Sequence, residues 1–308
     1  MKNLLLFILL TCLTAGNISA QKAVHKPIKV LIVDGFSNHN WQQTTKMVKA
    51  ILEETGRFKV DVSTSPATAA DTNWVHWRPN FDAYNVVIQN SNNISNKDIH
   101  WPREVQQGLE KYVANGGGLY ILHSANNAFP EWDEYNKMIG LGWRSAKAFK
   151  ALQIDSVGKN IVEIPVGTGI NTTHGARFDA VIQRFTANPI NKDMPEAWKT
   201  PSMELYKYPR GPAENLTVLS FCRDSVTHIN WPVEWIVQYG KGKVYNSSMG
   251  HLWKDEVYPT SYRCIGFQTT MIRVTEWLAT GKVSFPLPKN FPTADKLSMR
   301  SETDVPHE

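Results

Sequence analysis

The sequence predicts an α/β protein on a doubly wound, mostly parallel sheet, and three observations predict it. Lys29 to Asp34, with Val30, Leu31, Ile32 and Val33 consecutive, and Gly118 to Leu122 are unbroken apolar runs bounded by turn residues. That is the pattern of strands buried on both faces. Between them, Met47, Val48, Ile51 and Leu52 recur at helical spacing within Trp41 to Glu54. The resulting order of strand, helix, strand, strand, helix, strand fits parallel strands joined by crossovers.

The first strand opens into the polar loop Gly35-Phe36-Ser37-Asn38-His39-Asn40, and Gly56 stops the helix that follows. Glycine takes a left-handed cap without steric cost. Phe58 to Val62 alternates as a second strand, and Thr64 to Pro79 is a long loop carrying Trp74, His76 and Trp77. Phe81 to Asn90 reads as a third strand, ending in Gln89-Asn90-Ser91-Asn92-Asn93. Pro102 starts a helix to about Asn115, as proline suits a first turn. The central strand, Gly118 to Leu122, turns polar at His123, Ser124, Asn126 and Asn127. Phe129 to Ile139 is expected as a helix. From Arg144 to Asn188 short alternating segments replace the winding, a β-rich insertion at about 144–188. Ser202 to Tyr208 and Leu216 to Cys222 are further strands. Gly240-Lys241-Gly242 reads as a tight turn between strands Val233 to Tyr239 and Lys243 to Ser247. Cys264 to Leu278 is the closing helix. A single domain over 21–292 is expected, then a wrapping or frayed tail over 293–308.

Lys2, the apolar run Leu4 to Leu13 and the small residue Ala20 have the layout of an export signal cleaved after Ala20. The run is too short to span a bilayer comfortably. The expectation is a soluble periplasmic or secreted protein without a transmembrane anchor, beginning at Gln21. The net charge is +5, or +4 once Lys2 leaves, and no basic block appears. This argues against a nucleic-acid partner. Cys222 and Cys264 are expected as buried thiols rather than a pair.

Ligands bind beyond the carboxyl ends of strands in open parallel sheets. Asn38 and His39, Gln89 and Asn90, and His123 and Ser124 therefore face one edge. Ser247 to His251 is another polar strand end. A fold of this pattern raises the glutamine-amidotransferase arrangement, with a nucleophilic cysteine at a sharp turn after a strand. Here that turn carries His123 and Ser124, with neither remaining cysteine near it in sequence. Ser124 lacks both glycines of the G-x-S-x-G elbow. His39, His123, His174, Glu204 and His251 are ligand types that zinc favours, although no pair has a diagnostic spacing. Without a metal, Glu204 and a histidine would act as acid and base. The chain also has eleven tryptophans. Trp74, Trp77, Trp143, Trp231 and Trp253 fall in loops or at element ends, where aromatic faces suit the C–H face of a sugar; tryptophan serves packing as well.

Several stretches resemble the ThuA (trehalose-utilisation) family: Val33-Asp34-Gly35-Phe36-Ser37-Asn38-His39-Asn40-Trp41, Gly116 to Phe129, Asn188-Pro189-Ile190, Met203-Glu204-Leu205-Tyr206, Tyr239 to Val244 and Ser248-Met249-Gly250-His251. Arg263 to Thr270 is similar to exported members. The resemblance implies a class I glutamine-amidotransferase-like, flavodoxin-like fold without the amidase cysteine. It also implies a role with trehalose or other glycosides, including 3-keto-glycosides. Carried onto this chain, it points to His39, His123, Glu204, Tyr206 and His251. Asn188 and Met203 stand where members commonly have His and Asp, and a His common after the His-Gly near His174 is absent. A metal site relying on those groups would be incomplete here.

Three functions follow as expectations. The first is an exported enzyme acting on a small-molecule carbohydrate. It would use His123, Glu204 and His251 for catalysis, with a divalent metal such as zinc as an optional cofactor. Its substrate-binding residues would be His39, Asn38, Asn90, Ser124, Asn126, Tyr206, Trp143 and Trp253. The second is a carbohydrate-binding accessory protein. The third is a degenerate amidotransferase-like hydrolase.

Overall fold

The computed structural model describes residues 26–256 and 259–304; the expected leader lies outside them. In chain order the elements are β1 (Ile28–Asp34), α1 (Trp41–Glu54), β2 (Phe58–Thr64), β3 (Val86–Gln89), α2 (Arg103–Ala114), β4 (Gly118–Leu122), α3 (Asp133–Ile139), β5 (Ala151–Ile154), β6 (Ile161–Ile164), β7 (Thr173–His174), β8 (Phe178–Arg184), β9 (Ala197–Met203), β10 (Tyr206–Lys207), β11 (Leu216–Arg223), β12 (Asn230–Tyr239), β13 (Gly242–Ser247), α4 (Thr260–Arg263) and α5 (Ile265–Thr280).

The main sheet runs β2-β1-β3-β4-β13-β12-β11-β8-β9. Its central part, β2 to β13, is parallel. The hairpin β12–β13 reverses direction, so β12, β11, β8 and β9 extend the sheet antiparallel. Strands β5 and β6 form a hairpin against the start of β12.

Consecutive strand residues serve opposite cores, because side chains alternate across a strand. Val30, Ile32, Val86, Ile88, Tyr120 and Leu122 face a core with α1 and α5. Leu31, Val33, Val87, Leu119, Ile121 and Val244 face another with α2 and α3. Helices therefore cover both faces of the parallel strands, which is why those strands read as unbroken apolar runs. Cys222 and Cys264 are both buried and free.

Three sequence-based boundaries change. Phe81–Ala83 is a 3-10 turn rather than strand, and β3 begins at Val86. The helix expected from Phe129 begins only at Asp133. Phe129 has φ 48, and Pro130 follows it, so the chain turns before it winds. The strand expected over Ser202 to Tyr208 is broken. Ser202 takes φ 49, β9 ends at Met203, and Glu204 leaves the ladder before β10 begins. The tail packs along the domain: Thr293 O accepts from Lys199 N at 2.9 Å, and Ser298 O from Ile265 N at 2.9 Å.

Candidate functional site

The parallel strands β1, β3, β4 and β13 end at one edge, and the sheet order reverses between β1 and β3. A switch point of this kind opens a crevice. Gly35 exits β1 at φ 137, where a Cβ would collide with Ser65. This turn leads into the loop carrying Asn38 and His39. Gly250, at φ 98, performs the same service after β13 and directs His251. His123 itself takes φ 42 at the end of β4, a conformation uncommon outside glycine and tolerated when surrounding contacts hold it. The residue at the sharp turn is thus an imidazole.

His39, His123 and His251 form a triangle, with ring centroids 5.1, 5.0 and 5.3 Å apart. Glu204 closes it. One Glu204 oxygen lies 3.4 Å from His123 Nε2; the other lies 3.6 Å from His251 Nε2 and 3.4 Å from His174 Nε2. One ligating atom from each of His39, His123, Glu204 and His251 falls within 4.8 Å of all the others. All four residues are buried.

Hydrogen bonds set the direction of each ring. His123 Nδ1 donates to the Ser248 carbonyl at 2.8 Å. Asn38 Oδ1 accepts from Asn92 Nδ2 and from His39 Nδ1, each at 2.9 Å. Both histidines, when neutral, therefore turn an Nε2 lone pair inward, and both Nε2 atoms are buried without a hydrogen-bond partner. A lone pair facing a carboxylate oxygen at 3.4 Å is repulsive unless a cation lies between them. His251 is opposite in sense. Its Nδ1 meets Arg177 Nη1 at 3.2 Å, and a guanidinium only donates. Neutral His251 thus directs an Nε2–H at Glu204.

The charge states agree with this arrangement. Burial first, then repulsion from His123 and His251, lowers His39 from 6.5 to about 2. Burial and His123 lower His251 to about 3. Burial raises the Glu204 pKa, but the adjoining imidazoles, His123 first and then His251 and His174, outweigh it and hold Glu204 at about 2. At neutral pH His39 presents an unprotonated nitrogen beside an ionised Glu204. These residues fit a divalent metal ion. His39, His123 and Glu204 would hold it, a two-histidine, one-carboxylate set; His251 could join only if Arg177 released its Nδ1.

Around this centre, Tyr206 lies 5.6 Å from His123 and Trp143 lies 5.3 Å from Tyr206, between ring centroids. Trp253 lies edge-on to His39 at 5.1 Å and stacks along His251 at 6.1 Å. Burial raises the Tyr206 pKa well above its ordinary value, so its hydroxyl stays a donor. Ser124 is buried in the turn after β4. Two predicted residues serve the framework instead. Asn90 Nδ2 donates to Trp41 O at 3.1 Å and Thr45 Oγ1 at 3.0 Å. Asn126 Nδ2 donates to Asn246 Oδ1 at 3.4 Å. Trp231 is core, and Trp74 and Trp77 pack against each other at 5.6 Å. The positions expected to weaken a metal site lie outside the cluster: Asn188 caps a 3-10 turn, and Met203 is in the core. Sequence reasoning missed Arg177, which belongs to no motif. It also passed over Asn127, which stands in the polar run after β4.

A family model described as trehalose utilisation, ThuA, matches residues 29–277. A ThuA-like protein of Parabacteroides merdae has a solved structure 31% identical to this chain, with a TM-score of 0.83, and the match covers 90% of this chain and 99% of that one. A ThuA-like protein of Bacteroides uniformis, 15% identical with a TM-score of 0.55 and the same coverage, shares the fold. A search of curated proteins finds no match. The matched segment runs from β1 into α5 and carries all four clustered residues, and the chain belongs to the ThuA family.

Proposed function

We propose that this protein is an exported enzyme of glycoside utilisation, acting on a trehalose-like or 3-keto-glycoside sugar at a divalent-metal centre. The observation that carries this reading is the convergence of His39, His123 and Glu204 with two inward, unpartnered Nε2 atoms. His39, His123 and Glu204 would hold such an ion, which would supply Lewis acidity toward a sugar oxygen. The chain's own groups do the rest. Glu204 stays ionised, and the His251 N–H orients it. Tyr206 donates to a sugar hydroxyl, while Trp143 and Trp253 offer faces to the ring. The low pKa values of Glu204 and His251 disfavour metal-free acid–base chemistry, which works best with a pKa near the working pH.

Neither cysteine supports an amidase. Burial pushes the Cys222 thiol up to about 12 and also raises that of Cys264. Export rests on the leader ending at Ala20, so N-terminal sequencing of periplasmic or secreted material should read Gln21. Metal analysis of the purified chain, paired with turnover of glycosides and 3-keto-glycosides, tests the centre. About one ion per chain, lost in His39→Ala together with product formation, is the expected result. Sugar binding without product from any substrate would favour the accessory-protein reading.

A further inference from the structure

Beside the metal-ligand cluster lies a cavity of about 330 Å³, within the range of about 300–1,000 Å³ common for small-molecule sites. Trp143, Ala148, Phe149, Asn127, Asn171 and Lys97 are among its walls. Two of these also belong to the centre's surroundings. Trp143 lies 5.3 Å from Tyr206 and 5.7 Å from His174 between ring centroids, and Asn127 stands with His123 in the turn after β4. Ring contacts lead from the cavity wall to the centre, Trp143 to Tyr206 at 5.3 Å and Tyr206 to His123 at 5.6 Å between centroids.

The lining selects a chemical class. Among the described residues it has no acidic side chain, so nothing there would hold a cation. Four of the five N–H groups of its Arg144 are engaged: Nε donates to Asn136 Oδ1 and Nη2 to Ala128 O, both at 2.7 Å, and Nη1 donates to the Asn126 and Trp143 carbonyls at 3.1 Å. That guanidinium is spent mainly on stiffening the wall. Asn171 uses Oδ1 on the Ala146 N–H at 2.9 Å, which leaves its NH2 as a donor. Two aromatic side chains, with the amides of Asn127 and Asn171 and the Lys97 ammonium as donors in the same lining, match a ring that has C–H faces and hydroxyl rims.

We infer that this cavity is a second sugar subsite, which holds the far ring of a two-ring glycoside while the near ring lies at the metal centre. The inference rests on the carbohydrate reading above. It makes the protein selective for disaccharides over simple glycosides.

The test is calorimetric binding to the full metal-loaded chain. The probes are glucose disaccharides, native and 3-keto, each compared with the methyl glycoside of its near ring. At least one disaccharide should bind tenfold or more tightly than its methyl glycoside. Ala148 is exposed, so Ala148→Trp fills the cavity without entering a core. It should bring the disaccharide down to the methyl-glycoside level, with methyl-glycoside affinity and metal content unchanged. Phe149→Leu, which keeps bulk and removes the aromatic face, should weaken the disaccharide several-fold and serves should Ala148→Trp not fold. Equal binding of disaccharide and methyl glycoside, or discrimination that survives these variants, overturns the subsite and leaves the centre standing. If no sugar of either kind binds, the carbohydrate reading fails and the subsite with it.

Discussion

His123 combines three properties in one residue: a left-handed backbone, a buried ring and an inward Nε2. Its Nδ1–H fastens the ring to the Ser248 carbonyl at the end of the neighbouring strand. His123→Ala removes a proposed metal ligand and leaves that carbonyl short of a donor, a penalty of about 1–3 kcal/mol. Turnover should fall by about 10²–10⁴-fold, the scale of a lost catalytic group, while the chain remains folded with Tm lowered by several degrees. An unfolded variant, or one with full activity, would make His123 a structural turn residue. Asn38 tests the layer behind the ligands. Asn38→Leu takes the acceptor from His39 Nδ1 and frees the ring to turn. Metal affinity should drop by about 10–100-fold, the usual effect of losing such an outer partner. Competition with a chelating dye would show this, and unchanged affinity would remove His39 from the ligand set.

At the scale of elements, stability and chemistry occupy successive residues of the same strand. In β4, Leu119 and Ile121 face one core and Tyr120 and Leu122 the other; the next residue, His123, belongs to the pocket. Leu122→Ala should therefore cost about 2–5 kcal/mol through the cavity it leaves, with kcat of the folded fraction close to wild type. Denaturant melts and assays on the same samples separate the two effects. A loss of kcat larger than the loss of folded protein would show that the Leu122 side chain positions His123. The short pair β7–β10 acts differently. It sets His174 opposite Tyr206 and brings Glu204, released from β9, against the imidazoles.

Across the whole molecule, the buried centre should make the fold acid-sensitive. His39 and His251 have folded pKa values of about 2 and 3, below their ordinary 6.5. Below pH 6.5 the unfolded chain therefore binds more protons than the folded one. The stability contributed by these residues is complete above pH 6.5 and is lost as pH falls toward 3. Glu204, held at about 2 against its ordinary 4.5, adds a loss of the same sign below pH 4.5. In chelator-treated protein, Tm should fall more steeply between pH 6.5 and 4 for wild type than for the double variant His39→Gln/His251→Gln. Parallel curves would refute a shared origin in these rings.

The amino-acid sequence by itself determined the doubly wound core. A parallel strand buried on both faces must be apolar at every position, and Val30 to Val33 and Leu119 to Leu122 carry that signature without help from distant residues. The polar strand ends were legible for the same reason, since His39, His123 and His251 each follow such a run or a turn glycine. Tertiary structure decided what those ends become. Glu204 enters the centre only because Ser202 breaks the strand and β10 pairs with β7, contacts that no local spacing encodes. The inward lone pairs of His39 and His123 depend on Asn38 and on the Ser248 carbonyl. The opposite tautomer of His251 depends on Arg177, 74 residues away in the chain. Asn90 and Asn126 show the converse: their polarity marked them for the site, yet hydrogen bonds to Thr45 and Asn246 commit them to the framework. Residue type along the chain sets which segments are buried, whereas ligand direction is a property of the partners that folding supplies.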